Sequence, residues 1–353
     1  MRILKRGMTE KEDGVHKGMA VRKLIFITGF LFLFLQPSFA AEQPPDIAAA
    51  KKEGRLVLYV STNLPLAQAI AKGFEQKHPY LKVEITRNSG EALLNRIRTE
   101  KLAGKILFDV VYGATVPLLP ALGVVTPYVS SQAQAYPKKF REAKDFWTGV
   151  SANYYVLGYN TKLVAKAEAP KDWQDLTQPK WKGKLAMDPE EFSWFGAMES
   201  YFGEEKNQKL MSALARQDIQ WRKNHTTLAQ FLAAGEYPTA LVYAHTMEEM
   251  KQKGAPVEWL RTTKPIVVDL QAVALAAQPA NPNSAKLFID YLLSAEGQGI
   301  IFRDKKIPVL PSVVPETSAL HPAGLDLFPS PLKVVTNLNQ YAAKFEQVFG
   351  PRR

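Results

Sequence analysis

From Arg55 onward the apolar positions fall into two alternating patterns. Leu56–Val60, Val83–Thr86 and Asp109–Tyr112 are short apolar runs that read as buried strands. Between them, Leu66–Gln76 and Ala92–Leu102 repeat apolar residues at helical spacing. This alternation predicts an open α/β sheet, whose ligands bind beyond the carboxyl ends of the strands. Those ends carry Ser61-Thr62-Asn63, Asn88-Ser89-Gly90 and Gly113-Ala114-Thr115, each leading into a helix. Asn88 with Glu91 fits a capping box, and Pro65 and Pro117 fall in first helical turns, where a missing N–H costs nothing.

His225–Leu260 predicts helix, strand, helix, strand. Thr227 with Gln230 fits a capping box, Gly235 sits at a helix C′ position, and Thr239–Tyr243 is β-rich. Thr246 with Glu249 repeats the box and Gly254 the stop. A helix start leaves N–H groups unbonded where the helix dipole favours negative charge. His225, Thr226, Thr227, Tyr243 and His245 flank these starts and are candidate ligand contacts, with Ser61, Thr62, Asn63, Asn88, Ser89, Gly90 and Thr115 facing them.

Two longer extended runs, Val150–Asn160 and Ile266–Ala276, predict strands that cross between lobes. The expected division places 41–150 with about 262–280 in a first lobe, and 151–261 with about 281–353 in a second. An aromatic stretch follows the first crossing, in which Trp173 and Trp181 read as structural and Trp194 as a candidate cleft wall. Asn283 opens a helix with a core face, Ile307–His321 is a Pro-rich surface wrap, and Leu338–Phe349 is a final helix.

Composition changes the picture at the N-terminus. Arg22 and Lys23 precede the apolar run Leu24–Leu35, and Ser38-Phe39-Ala40 offers small residues where a signal peptidase reads. The run is shorter than the ~20 residues a membrane span needs. Residues 1–40 are therefore expected to be a signal peptide cleaved after Ala40, with Met19 an alternative initiator. The chain has no cysteine, hence no lipobox, disulfide or thiolate site, and a free periplasmic protein is expected. A net charge of +11 suits an anionic ligand or a solvated lysine surface, and no basic run interleaved with aromatics suggests nucleic acid. The chain carries no G-x-S-x-G, no H-E-x-x-H and no P-loop.

The phrases AAGEYPTALVY and KGAPVEW, with GYNTKLV, PKWKGKLAMDP and NSAKLFIDYLLSAEGQ elsewhere, resemble ABC-transporter solute-binding proteins of family 1, the branch termed iron(III)-binding. The resemblance implies a two-lobed periplasmic-binding-protein fold of type II, with two open sheets flanked by helices and a ligand cleft between lobes. It also implies a monomeric receptor that delivers its solute to an inner-membrane ABC permease and has no cofactor. Where the ferric pattern resembles Y-S-Y-Y, this chain has Tyr243-Ala244-His245, and the carboxylate expected after the third strand is replaced by Gly113-Ala114. Ferric iron favours several anionic oxygens, which this set supplies poorly. The expected cargo is a small oxyanion-bearing solute or a metal held through an anion, with direct ferric binding and a periplasmic enzyme on the same fold as alternatives.

Overall fold

The computed structural model describes residues 44–351, so the leader, its cleavage after Ala40 and the Met19 start lie outside the described residues. In chain order the elements are α1 (Ile47–Glu53), β1 (Arg55–Val60), α2 (Leu64–Lys77), β2 (Lys82–Arg87), α3 (Gly90–Leu102), β3 (Val110–Gly113), β4 (Val125–Thr126) and β5 (Thr148–Asn160). Then come β6 (Leu185–Met187), α4 (Phe192–Phe202), α5 (Glu204–Ala215), β7 (Gln220–Trp221), α6 (His225–Ala234), β8 (Thr239–Tyr243), α7 (Ala244–Gln252) and β9 (Val257–Trp259). The last are β10 (Ile266–Ala276), α8 (Pro282–Leu293), α9 (Ala295–Arg303), β11 (Ile307–Pro308), β12 (Leu327–Pro329), α10 (Leu332–Thr336) and α11 (Leu338–Phe349).

The main strand order is β2-β1-β3-β10-β5-β8-β6-β7. In the first lobe β1 runs parallel to β2 and β3, and in the second β6 runs parallel to β7 and β8. The two sheets expected from the resemblance are hydrogen-bonded into one path, because β5 and β10 each serve both lobes. Val267–Val273 of β10 pairs antiparallel with Thr148–Tyr155 of β5, while Ala272–Leu275 continues onto β3. Tyr155–Tyr159 of β5 in turn pairs with β8. A register shift between Gln271 and Ala272 lies at the crossing, where an unpaired residue bends a strand and re-aims its neighbours. Asn153 and Asp269 are direct partners there.

The chain after β10 is not placed as expected. Segment 281–310 packs on the first lobe, with Phe288 edge-on to Phe74 and the Glu53 carboxylate accepting from the backbone N–H groups of Asn283 and Ser284. Asp109 accepts from Asn281 N–H in the same way, and Glu296 pairs with the Lys77 ammonium. The amphipathic pattern of 283–292 shows a buried face and nothing about which lobe it meets. Only the end of the chain, through Tyr341, Phe345 and Phe349, joins the second-lobe core around Trp173, Trp194 and Met198.

Candidate functional site

Three first-lobe strands end side by side at the cleft. Ser61 N–H donates to the Tyr112 carbonyl and Asn88 N–H to that of Val60, so the three corners are in contact. Gly113 is required here, since a Cβ at that position would overlap the Ser61 hydroxyl, which accepts from Ala114 N–H at 3.3 Å. The helix entries differ in how they are capped. Asn63 caps α2 by accepting from Leu66 N–H at 2.8 Å. The Asn88 capping box does not form. Ser89 is the N-cap of α3 and makes no side-chain bond to it, while Asn88 Oδ1 is buried without a partner. Thr115 leads into a single 3-10 turn, Val116–Leu118, rather than an α-helix, and its hydroxyl is likewise unpartnered. Gly90 lies against the Thr115 methyl, which brings the uncapped start of α3 to the same corner.

The second-lobe corner departs further from expectation. Asn224, not Thr227, caps α6, its Oδ1 accepting from Thr226 and Thr227 N–H at 2.9 and 3.3 Å. Asn224 has φ +82°, a conformation asparagine tolerates better than most residues. Those two donors are therefore already used. The Thr246 box is also absent. Strand β8 runs straight into α7 at Ala244, Tyr243 is the N-cap without a side-chain bond, and Thr246 is buried inside the helix. Ala244, His245 and Thr246 occupy a first turn whose N–H groups have neither an intrahelical acceptor nor a capping side chain.

Tyr243 is the centre of an aromatic and polar network. His225 stacks on its ring at 3.9 Å between centroids, His245 stacks at 5.6 Å, and Tyr155 meets it edge-on at 5.0 Å. Burial pushes His225 down to about 4, and burial with Lys306 and His225 beside it pushes His245 down to about 3. Both imidazoles are consequently neutral near pH 7. Lys306 Nζ stands 3.5 Å from His245 Nε2 and, among the described residues, makes no carboxylate pair. On the other side, Glu191 is buried 3.4 Å from His225 Nε2, in an alignment that makes no hydrogen bond. Burial, with Asp188 and Asp269 nearby, holds its carboxyl far above the usual range.

A cavity of about 650 Å³ opens between these walls, within the ~300–1,000 Å³ of small-molecule sites. Of the residues expected at the site, Thr115 and Tyr243 line it. Trp194 does not. It is fully buried on the inner face of α4 against Trp173, while the neighbouring Ser193 is the α4 residue that reaches the cavity. The crossing strands contribute Asn153, Asp269 and Gln271, and residues 328–332 contribute a further edge with Phe328 and Ser330. Asp269 accepts from Tyr155, Ser193 and Ser330 hydroxyls at 2.8–2.9 Å. Sequence reasoning missed Asp269, Glu191, Ser193, Lys306 and Ser330. The one available signal was Asp269 as a lone acid in an otherwise buried strand run, since buried carboxylates are kept only where they are bonded.

A family model for bacterial extracellular solute-binding proteins matches residues 110–326, more than half of the chain. The chain belongs to this family. A Haemophilus influenzae relative, itself uncharacterized, is 29% identical over 312 residues, covering 84% of this chain and 88% of the relative. Iron-bound HitA from Pseudomonas aeruginosa superposes with a TM-score of 0.71 at 22% identity, covering 84% of this chain and 99% of HitA. The periplasmic binding protein AfuA from Actinobacillus pleuropneumoniae, with exogenous fructose-6-phosphate bound, gives 0.67 at 25% identity, covering 85% and 100%. These similarities establish the two-lobed binding-protein fold and the role of an ABC-importer solute-binding protein.

Proposed function

We propose that this solute-binding protein is a periplasmic, monomeric, non-catalytic receptor for a small organic solute bearing an oxyanion, or for a metal complexed by one, which it delivers to its permease. The carrying observation is the uncapped, buried start of α7 beside Lys306. Free N–H groups and an unpaired ammonium together make an anion subsite. The uncapped α3 start lies against Thr115, which lines the same cavity as Tyr243. A cavity of about 650 Å³ suits an organic body rather than a bare ion, and fructose-6-phosphate in AfuA is a ligand of this kind. Direct ferric ligation is the weaker reading. The hydroxyls of Tyr155 and Tyr243 are engaged in hydrogen bonds and driven up by burial, away from the phenolate that iron requires.

The test is a thermal-shift screen of organic phosphates, phosphonates, carboxylates and ferric chelates. A true ligand at a hundred times its dissociation constant adds about 2.7 kcal/mol of stability. Stabilisation by ferric ion alone, with a visible phenolate-to-iron band lost in Tyr243→Phe, overturns the anion reading.

A further inference from the structure

The hydroxyl groups along one wall of the cavity are oriented by a single carboxylate. An ionised carboxylate only accepts, so Tyr155, Ser193 and Ser330 each spend their one hydroxyl hydrogen on Asp269. With its hydrogen committed, the Tyr155 oxygen accepts, and Tyr243 donates to it at 3.4 Å. Ser193 and Ser330 lie 3.1 Å apart, both within donating distance of the same Asp269 oxygen, Oδ1. The consequence is that Tyr243, Ser193, Ser330 and Asp269, all of which line the cavity, turn only lone pairs toward it.

Three bonds use three of the roughly four acceptor positions of the Asp269 carboxylate, leaving one open. Among the described residues no Lys or Arg pairs with Asp269, and Asp188 lies close by, so this end of the cavity is electronegative. Lys139, the lysine lining the cavity, donates to the Leu327 carbonyl. Tyr243, which lines the cavity, is also the N-cap of α7, whose first turn lies beside Lys306.

We propose that the solute is dipolar, carrying a protonated amine that docks on the acceptor wall of Asp269, Ser193, Ser330 and Tyr243 while its oxyanion takes the α7 end. An ammonium brings three donors and no acceptor, which matches a wall of lone pairs better than a hydroxyl, with one donor and lone pairs of its own. The inference rests on the anion reading above. It assigns Asp269 as the residue that sets specificity.

Calorimetry of the mature chain with 2-aminoethyl phosphate, 2-hydroxyethyl phosphate and ethyl phosphate separates the two ideas, because the anion is constant and only the far group changes. The amine is expected to bind at least about tenfold more tightly than the other two, the scale of one charge-assisted hydrogen bond. Asp269→Asn, which puts an amide donor into the wall, should reduce that ratio to near unity. Tyr155→Phe frees the Tyr243 hydrogen and should lower the ratio less. If Asp269→Asn does not melt cooperatively, the Tyr155→Phe ratio decides. Equal affinities, or a preference for the hydroxyl compound, overturn the amine and leave the anion reading standing. No binding of any of the three at millimolar concentration overturns both.

Discussion

The two walls of the cleft are built on different physics. On the first-lobe side Ala114 and Thr115 line the cavity beside short strand ends, among them Ser61, Ser89 and Gly90, where helix entries leave backbone N–H groups. The second-lobe wall is a packed layer of ionisable and aromatic side chains, with His225, Tyr243 and His245 stacked together and Glu191 buried behind them. A backbone wall offers the same donors to any anion that fits. A side-chain wall fixes protonation states and hydrogen directions, and so discriminates. On the reading proposed above, recognition of charge would be shared between the walls and selectivity would reside in the second.

The difference can be broken most forcefully from beneath. Trp194→Ala removes the ring under the second wall and should cost about 3–5 kcal/mol in denaturant unfolding. A loss under 1 kcal/mol would show that this wall does not rest on its core. Acid should act next. Above the ordinary histidine range both imidazoles are neutral in the folded and unfolded chains, and their full contribution is present. As pH falls from about 6.5 toward 4, the unfolded chain takes up protons that buried His225 and His245 refuse. Stability then drops by up to about 1.4 kcal/mol per pH unit for each imidazole. Glu191 has the opposite sign, since its raised pKa favours the fold at low pH and that gain is lost as pH rises through its folded value. Melting of His225→Gln and His245→Gln across this range should be flatter than wild type, and an unchanged slope would contradict the neutral pair.

Binding changes sharpen the comparison at smaller scale. Lys306→Ala removes a charge from the anion end and should weaken ligand binding by about 1.5–3 kcal/mol in calorimetry, with little effect on the fold. Ser61→Ala on the opposite wall removes a side-chain acceptor and leaves the backbone donors, so about 0.5–1.5 kcal/mol is expected. If Ser61 proved the costlier of the two, the assignment of selectivity to the second wall would be wrong. Across pH 6–8 affinity should not follow imidazole titration, because neither histidine changes charge there.

What the chain's pattern reveals follows from how local each signal is. The strands, the two crossings and the Gly113 corner come from runs of adjacent residues, and they are found where periodicity places them. The caps failed by one to three residues because Asn224, Thr226 and Thr227 all suit an N-cap, and only tertiary placement selects Asn224. Tyr155, Ser193 and Ser330 reach Asp269 across 114, 76 and 61 residues, from segments with no shared motif. The lobe reached by α8 was illegible for the same reason. An apolar helix face shows that it will be buried but carries no address.

Ser330 lies within the last two dozen residues of the chain, yet it bonds the carboxylate at the centre of the cleft. A polypeptide emerging N-terminus first acquires its two sheets well before this segment arrives. The receptor is therefore incompetent until its tail has docked. A C-terminally clipped chain, ending anywhere before β12, would lack both Ser330 and the Tyr341, Phe345 and Phe349 rings of the second-lobe core, leaving pocket and lobe unfinished together.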